Sequence, residues 1–412
     1  MAEQQESFGR RVHRQRLRQG ITQAELGHRV GHSQGWVSKV EHGELTPDRV
    51  GLINELATAL HCHPNDLIGR PYAATPAENR WHAAALEVIK QLRRYDLPPT
   101  FVGTPRRVEA LRAELDAVHA LRDAAGYRDI IVALPGLLAE THALIALAGQ
   151  HEREEAYVVY GIAAKAAHTA AYGLGHPELI ALATTAIDWA ARNSADAMMP
   201  AIAMHIRARD MWATSSTADA LALLDRGLDS IEDEWTAGDV HALRTWGSLQ
   251  LRAAVSASRM KNRPEAEDRI AAAQEAADRL SATPGPHPKD RHELTFSQGN
   301  VLTHAVNIAI EMGDAPRALA LNDKALTRHR TALAALPPSR IGHHHLDLAR
   351  AWLWQSHRDR ALYELETAEK IAPQLIRSHP IAHAVCARLV EAERAGTHER
   401  LRRMANRFGL DR

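Results

Sequence analysis

Residues 9–47 read GRRVHRQRLRQGITQAELGHRVGHSQGWVSKVEHGELTP, and their punctuation decides how the amino-terminal part of the chain folds. A first helix runs from about Ser7 to Gln19 and stops at Gly20, because glycine tolerates the positive φ of a helix C-terminus. Thr22-Gln23-Ala24-Glu25 then supplies a capping box: a hydroxyl accepts from the orphan amides of a new helix, and a carboxylate three residues on answers it. That helix extends to Val30, Gly31 makes a turn, and Ser33 caps a third helix to about His42, closed by Gly43 and Pro47. Leu17, Ile21, Leu26, Val30, Val37 and Val40 provide an apolar face, against which Leu52, Leu56 and Leu60 of a fourth helix pack. The spacing predicts a helix-turn-helix within a five-helix domain spanning residues 1–72.

This run resembles the lambda-repressor-like, or Xre-type, helix-turn-helix family from residue 7 to about residue 70. The resemblance implies that the third helix enters the major groove of double-stranded DNA, the operator. Gln34, Gly35 and Lys39 then take the base-facing positions, with Ser38 on the same surface, while Gln23 and Ser33 begin helices that face phosphate. The residue chemistry agrees, since Gln can pair bidentately with adenine and Lys can reach guanine, each worth about 1–3 kcal/mol of discrimination. Between Ser7 and Gly43 stand seven cations (Arg10, Arg11, Arg14, Arg16, Arg18, Arg29, Lys39) against two anions (Glu25, Glu41), a patch suited to salt-dependent DNA binding. Arg14 is assigned to sequence-independent backbone contact, and Trp36 to the groove edge or a phosphate. Arg16 and Glu41 align with the family's partly buried ion pair and are assigned to structure. Gly35 is smaller than the polar residue often found there, which weakens base readout at that position.

The rest of the chain is read from composition. Its 412 residues suit two or three domains, and 74 alanines with only 5% aromatics give apolar surface made of small side chains. Ala favours helix, no alternating strand pattern occurs, and the chain reads as all-α. Fifty Lys+Arg balance fifty Asp+Glu, which excludes a uniformly basic coat protein and an acidic disordered chain. Only seven of those cations are Lys, so a lone Arg says little about phosphate. Cys62 and Cys386 lie far apart without CxxC spacing, so no disulfide framework or thiol zinc site is expected. No membrane-length apolar run is expected either, and the protein is read as cytoplasmic. The Arg- and Ala-rich composition points to a GC-rich bacterium of actinobacterial type.

Prolines and small residues at 69–76 mark a boundary. Residues 73–125 are expected to be a linker with bridging helices, one from Glu78 to Tyr95, and residues 126–412 a helical array. Within that array Ala220, Ala266, Ala318 and Ala361 recur at steps of 46, 52 and 43 residues, resembling degenerate tetratricopeptide repeats with extended helices or loops. If the first helix of each pair lines a concave surface, it presents His205 and Arg209; Ser248 and Arg252; Asn300, Thr303, His304 and Asn307; and His343, Asp347 and Arg350. The carboxamides of Asn300 and Asn307 suit an extended peptide backbone.

His343-His344-His345 is not read as a metal site, because consecutive helical residues point about 100° apart. His61-Cys62-His63 lacks a second ligand pair and is not one either, and Asp188 beside Trp189 and Glu152 to Glu155 read as solvated faces. No nucleophile motif, phosphate loop, metal or cofactor is expected, so the chain is read as no enzyme. The expectation is a homodimeric transcriptional regulator whose repeats sense a peptide or small-molecule effector. The alternative makes the repeats a protein docking scaffold tethered to DNA, without a small ligand.

Overall fold

The structure, a computed structural model, describes residues 7–45, 50–60, 62, 67, 76–391 and 399–408. Among the described residues every regular element is helical and none is a strand. Contacts divide the chain into two compact units, Met1–Leu86 and Glu87–Arg412.

In the first unit α1 (Phe8–Arg18) is capped by Ser7, and α2 (Gln23–Arg29) carries the complete capping box. Thr22 Oγ1 accepts from the Glu25 amide at 3.1 Å, while a Glu25 oxygen accepts from the Thr22 amide at 2.7 Å. Gly31, at φ 68°, turns the chain toward α3 (Gln34–Glu41), whose cap Ser33 accepts from the Trp36 amide. Together with α4 (Val50–Ala59) these helices enclose Val12, Leu26, Val30, Val37, Val40, Leu56, Leu60 and Leu67, with Ile21 packed alongside. Gly9 lets α1 meet α3 closely, since a Cβ there would lie 2.2 Å from the Val40 carbonyl oxygen. Leu17, expected in the core, is instead 58% exposed. The inward face of α1 runs through Val12 and Arg16 at i, i+4 spacing, and the next residue along is rotated about 100° away from it. Apart from Leu67, the expected fifth helix lies outside the described residues, as do His61, His63 and most of the 69–76 boundary.

The division point at 86/87 falls inside α5 (Pro76–Leu92), not in the proline-rich stretch before it. Likewise α6 (Val108–Asp123), expected as a bridging helix, packs on α7 (Tyr127–Leu147) and α8 (Gln150–Leu174) within the second unit. Arg106 holds Glu140 through its Nη2 at 2.6 Å and Arg112 holds Glu155 at 2.6 Å. Helix α7 is, contrary to the sequence expectation, long and apolar enough to cross a membrane, but 61% of its apolar window is buried against its neighbours. That burial marks it as a core helix, and the single Pro135 inside it does not end it. Helix α8 explains the alanine content: Ala156, Ala163, Ala164, Ala167, Ala170 and Ala171 are fully buried, so neighbouring backbones approach closely. Trp189 of α9 (Pro177–Asn193) is no solvated neighbour of Asp188; its ring meets those of Tyr95, Tyr157 and Tyr160.

The array continues as helix pairs: α10 (Met198–Met211) with α11 (Thr217–Asp229), then, after the short α12 (Glu232–Ala237), α13 (Val240–Arg259) with α14 (Arg263–Ala282). Next come α15 (Gln298–Glu311) with α16 (Ala315–Arg328), the short α17 (Arg330–Ala334), and α18 (Pro338–Trp354) with α19 (Arg358–Ile371). Helices α20 (Pro373–Ser378), α21 (Pro380–Glu391) and α22 (Glu399–Arg407) follow. Ala220, Ala266, Ala318 and Ala361 each take the fourth position of the second helix in a pair, at 0% exposure. Gly227, Ala273, Ala325 and Ala368, seven residues on, are buried too.

The longest step, 52 residues, contains the connection 283–297 between α14 and α15. Asp290 accepts from the amides of His292 and Leu294 at 3.1 and 2.8 Å, and Lys165 donates to the carbonyls of His292 and Glu293 at 3.0 and 2.6 Å. Arg122 donates to the same Glu293 carbonyl at 2.6 Å. Between these anchors Glu293 and Thr295 take left-handed backbone, φ 54° and 59°.

Candidate functional site

Two surfaces gather the residues singled out in the sequence. On the helix-turn-helix, Ser33, Gln34, Gly35 and Lys39 are exposed and Ser38 is half-buried, along α3; Arg14 is exposed on α1. Arg16 and Glu41 form the anticipated buried pair, with Arg16 Nε 2.6 Å from Glu41 Oε1 and Nη2 3.1 Å from Oε2. Burial alone would push the Glu41 carboxyl up, but hydrogen bonds from Arg16, Gln23 and His13 hold it down at about 2. Gln23 departs from expectation here. Its Nε2 donates to Glu41 at 2.9 Å, so the side chain that was to meet phosphate is tied into the ion pair. Trp36 is half-buried, its ring stacked on His32 at 4.0 Å and packed against the core.

The second surface lies in the array. All eleven predicted residues, from His205 and Arg209 through Ser248, Arg252, Asn300, Thr303, His304 and Asn307 to His343, Asp347 and Arg350, line one cavity of about 330 Å³. They reach it from α10, α13, α15 and α18, the first helices of the four pairs, because a spacing of three and four puts each set on one helical face. The two carboxamides do not form a free ladder for a peptide, however. Asn300 Nδ2 donates to the Thr295 carbonyl at 2.6 Å and Asn307 Nδ2 to Asp347 at 2.8 Å. What the cavity leaves open are other buried atoms: Arg252 Nε and Nη1, His205 Nδ1, His344 Nδ1 and Asn300 Oδ1 have no partner. The three consecutive histidines diverge as helix geometry requires, His343 toward the His379 ring, His344 to Asn322 at 2.9 Å and His345 to Glu364 at 2.6 Å.

Sequence reasoning missed several lining residues. Tyr172 comes from α8, His379 from the junction between α20 and α21, and Arg340 from the first turn of α18, one turn before His343. Extending the His343–Asp347–Arg350 face backward by three residues would have found Arg340. Burial and the nearby Arg122 and Arg209 bring Arg340 down to about 10, and burial pushes the Asp347 carboxyl up despite Arg350 and Asn307. Burial with Arg340 beside it holds His304 at about 4.

Two metal-capable groups also come together, His241 with Asp290 and His292, and Asp116 with His119 and Glu293. Each is already engaged: Asp290 caps the 283–297 connection, and Glu293 pairs with His119 at 3.1 Å and Arg122 at 3.2 Å.

Residues 7–67 match the helix-turn-helix domain family, so this chain carries such a domain ahead of a helical repeat-like array. The crystal structure of Bacillus thuringiensis PlcR in complex with the peptide PapR7 and DNA is 13% identical, covering 80% of this chain and 99% of that chain, with a TM-score of 0.30. The apo form of the competence regulator ComR from Streptococcus vestibularis is also 13% identical, covering 94% of this chain and 98% of that chain, with a TM-score of 0.22. Likenesses at that level give no residue-by-residue correspondence. No curated protein matches the chain.

Proposed function

We propose that this chain is a sequence-specific DNA-binding transcriptional regulator, cytoplasmic and homodimeric, whose tetratricopeptide-like array binds a small-molecule or peptide effector. The observation that carries the sensing half is the convergence of polar residues from four separate helices on one cavity with unpartnered buried atoms. Buried polar groups are normally satisfied, and a concave site with a few convergent polar groups is the ordinary form of a ligand pocket. A volume of about 330 Å³ suits a small molecule or one end of a peptide. Support for the DNA half is the exposed polar face of α3 within a helix-turn-helix domain of local positive charge. In a dimer, two such helices must stand about 34 Å apart to read successive major grooves. An effector that binds one curvature of the array better than another shifts that spacing, and with it DNA affinity.

The test is selection of DNA fragments from a random pool by the purified full chain, followed by anisotropy titrations at several salt concentrations with and without a low-molecular-weight cell extract. A recurrent half-site, affinity that falls steeply with salt and a shift on adding extract are expected. Failure to enrich any sequence at low salt overturns the DNA reading. Enrichment that no extract fraction alters, with a protein partner retained by the array, gives the docking scaffold instead.

A further inference from the structure

The charge in the cavity is unbalanced. Its two carboxylates, Glu311 and Asp347, are both engaged by Arg350 at 3.1 Å. Arg259 also lines the cavity and lies 3.8 Å from Glu311; Arg209, Arg252 and Arg340 remain, and among the described residues none of the three has a carboxylate within ion-pair distance. The nearby Asp210 carboxylate is held by His168 and Thr184, each at 2.7 Å. Arg209 lies over the Tyr172 ring at 3.6 Å, and Arg252 has Nε and Nη1 buried without any acceptor. Burial and the proximity of the other two guanidiniums also depress Arg252 well below its ordinary value.

Guanidinium does not shed its proton in proteins, so three of them converging without counter-charge raise the energy of the empty cavity. A planar guanidinium fork matches the two oxygens of a carboxylate or phosphate, and charge-assisted bonds of this kind are the strong ones. Between its histidines and asparagines the wall also carries apolar side chains, Leu251, Val255, Leu294 and Leu346.

Building on the reading of this cavity as an effector site, we infer that Arg209, Arg252 and Arg340 form an anion subsite for an effector that carries an oxyanion group on an apolar body. The oxyanion completes the unmade hydrogen bonds of Arg252 and neutralises the cluster, while the apolar body packs on Leu251, Val255, Leu294 and Leu346. Such a ligand is a small organic acid, the carboxylate end of a peptide, or a phosphorylated metabolite, all sharing the same charged oxygens.

Fluorine NMR on the full chain tests this with three probes that share one aryl-methylene body: para-trifluoromethylphenylacetate, para-trifluoromethylbenzyl phosphate and the neutral para-trifluoromethylphenylacetamide. Line broadening by at least one of the two anions, with none by the amide, is expected, and which anion broadens more tells carboxylate from phosphate. In the R252M/R340M variant anion affinity should fall more than about 30-fold, the loss seen when a buried charge pair loses one partner. R252M alone should raise the melting temperature of the ligand-free chain, because it removes an uncompensated charge. Amide binding as tight as the acids, undiminished acid binding in the double variant, or a lowered melting temperature in R252M overturns the anion subsite and leaves the effector cavity standing. No binding of any probe at millimolar concentration overturns both.

Discussion

Glu41 ties together three elements of the helix-turn-helix domain, since Arg16 and His13 reach it from α1 and Gln23 from α2. Glu41→Ala strands the buried Arg16, and a loss of about 3–5 kcal/mol of stability is expected in denaturant titrations. A carboxyl held at about 2 in the fold and near its ordinary value when unfolded adds stability above the unfolded value, and that stability disappears as pH falls through the folded one. Melting of the native chain should therefore drop more steeply between pH 5 and pH 2 than that of Glu41→Gln, which lacks the titrating group. For readout, Gln34→Ala should relax preference at one operator position by about 1–3 kcal/mol, while Arg14→Ala should weaken all sequences alike. Equal effects on cognate and random DNA would remove Gln34 from the base-facing set. The Arg16–Glu41 pair was legible from the family pattern because both positions lie in an ordered motif. Gln23 was not, because its position faces either phosphate or the ion pair and only the side-chain torsions decide between them.

Among the elements, the second helix of each pair is fixed by a small residue at its fourth position. Ala318→Leu inserts three carbons where no exposed surface remains, and overpacking of this kind costs about 1–3 kcal/mol. Thermal unfolding should register it, and a change in which Ala318→Leu and an exposed Ala320→Leu behave alike would refute the register. Periodic alanines made that register legible, since close helix contact needs short side chains wherever it occurs. Loop conformation was not legible. The carbonyl of Thr295 takes up Asn300 only because the connection before α15 folds back on itself, and nothing in the spacing of Asn300 and Asn307 announces that.

At the scale of the whole molecule, the cavity holds a set of imidazoles kept neutral. Burial, with Arg340 near His304, His345 near His344 and Arg209 near His379, brings each of these three to about 4. The unfolded chain then binds more protons than the folded one between that value and the ordinary histidine range, so stability rises with pH across that window. The ligand-free chain should lose stability as pH is lowered from about 6.5 toward 4, and a bound anion should lessen the loss. A melting temperature flat over that range would contradict the neutral cluster. That the four helix faces converge was legible in the sequence, and Arg340 lay one turn back along one of them; the contributions of Tyr172 and His379 were not, because they depend on where distant elements end. The connection 283–297 carries one more consequence. Its two left-handed residues each cost about 1–3 kcal/mol, and they persist because Lys165, Arg122 and Asp290 clamp the strip on both sides. Replacing Lys165 with Met should open that strip to trypsin, so a nick between Arg291 and His292 would report the release of a segment whose Leu294 lines the cavity.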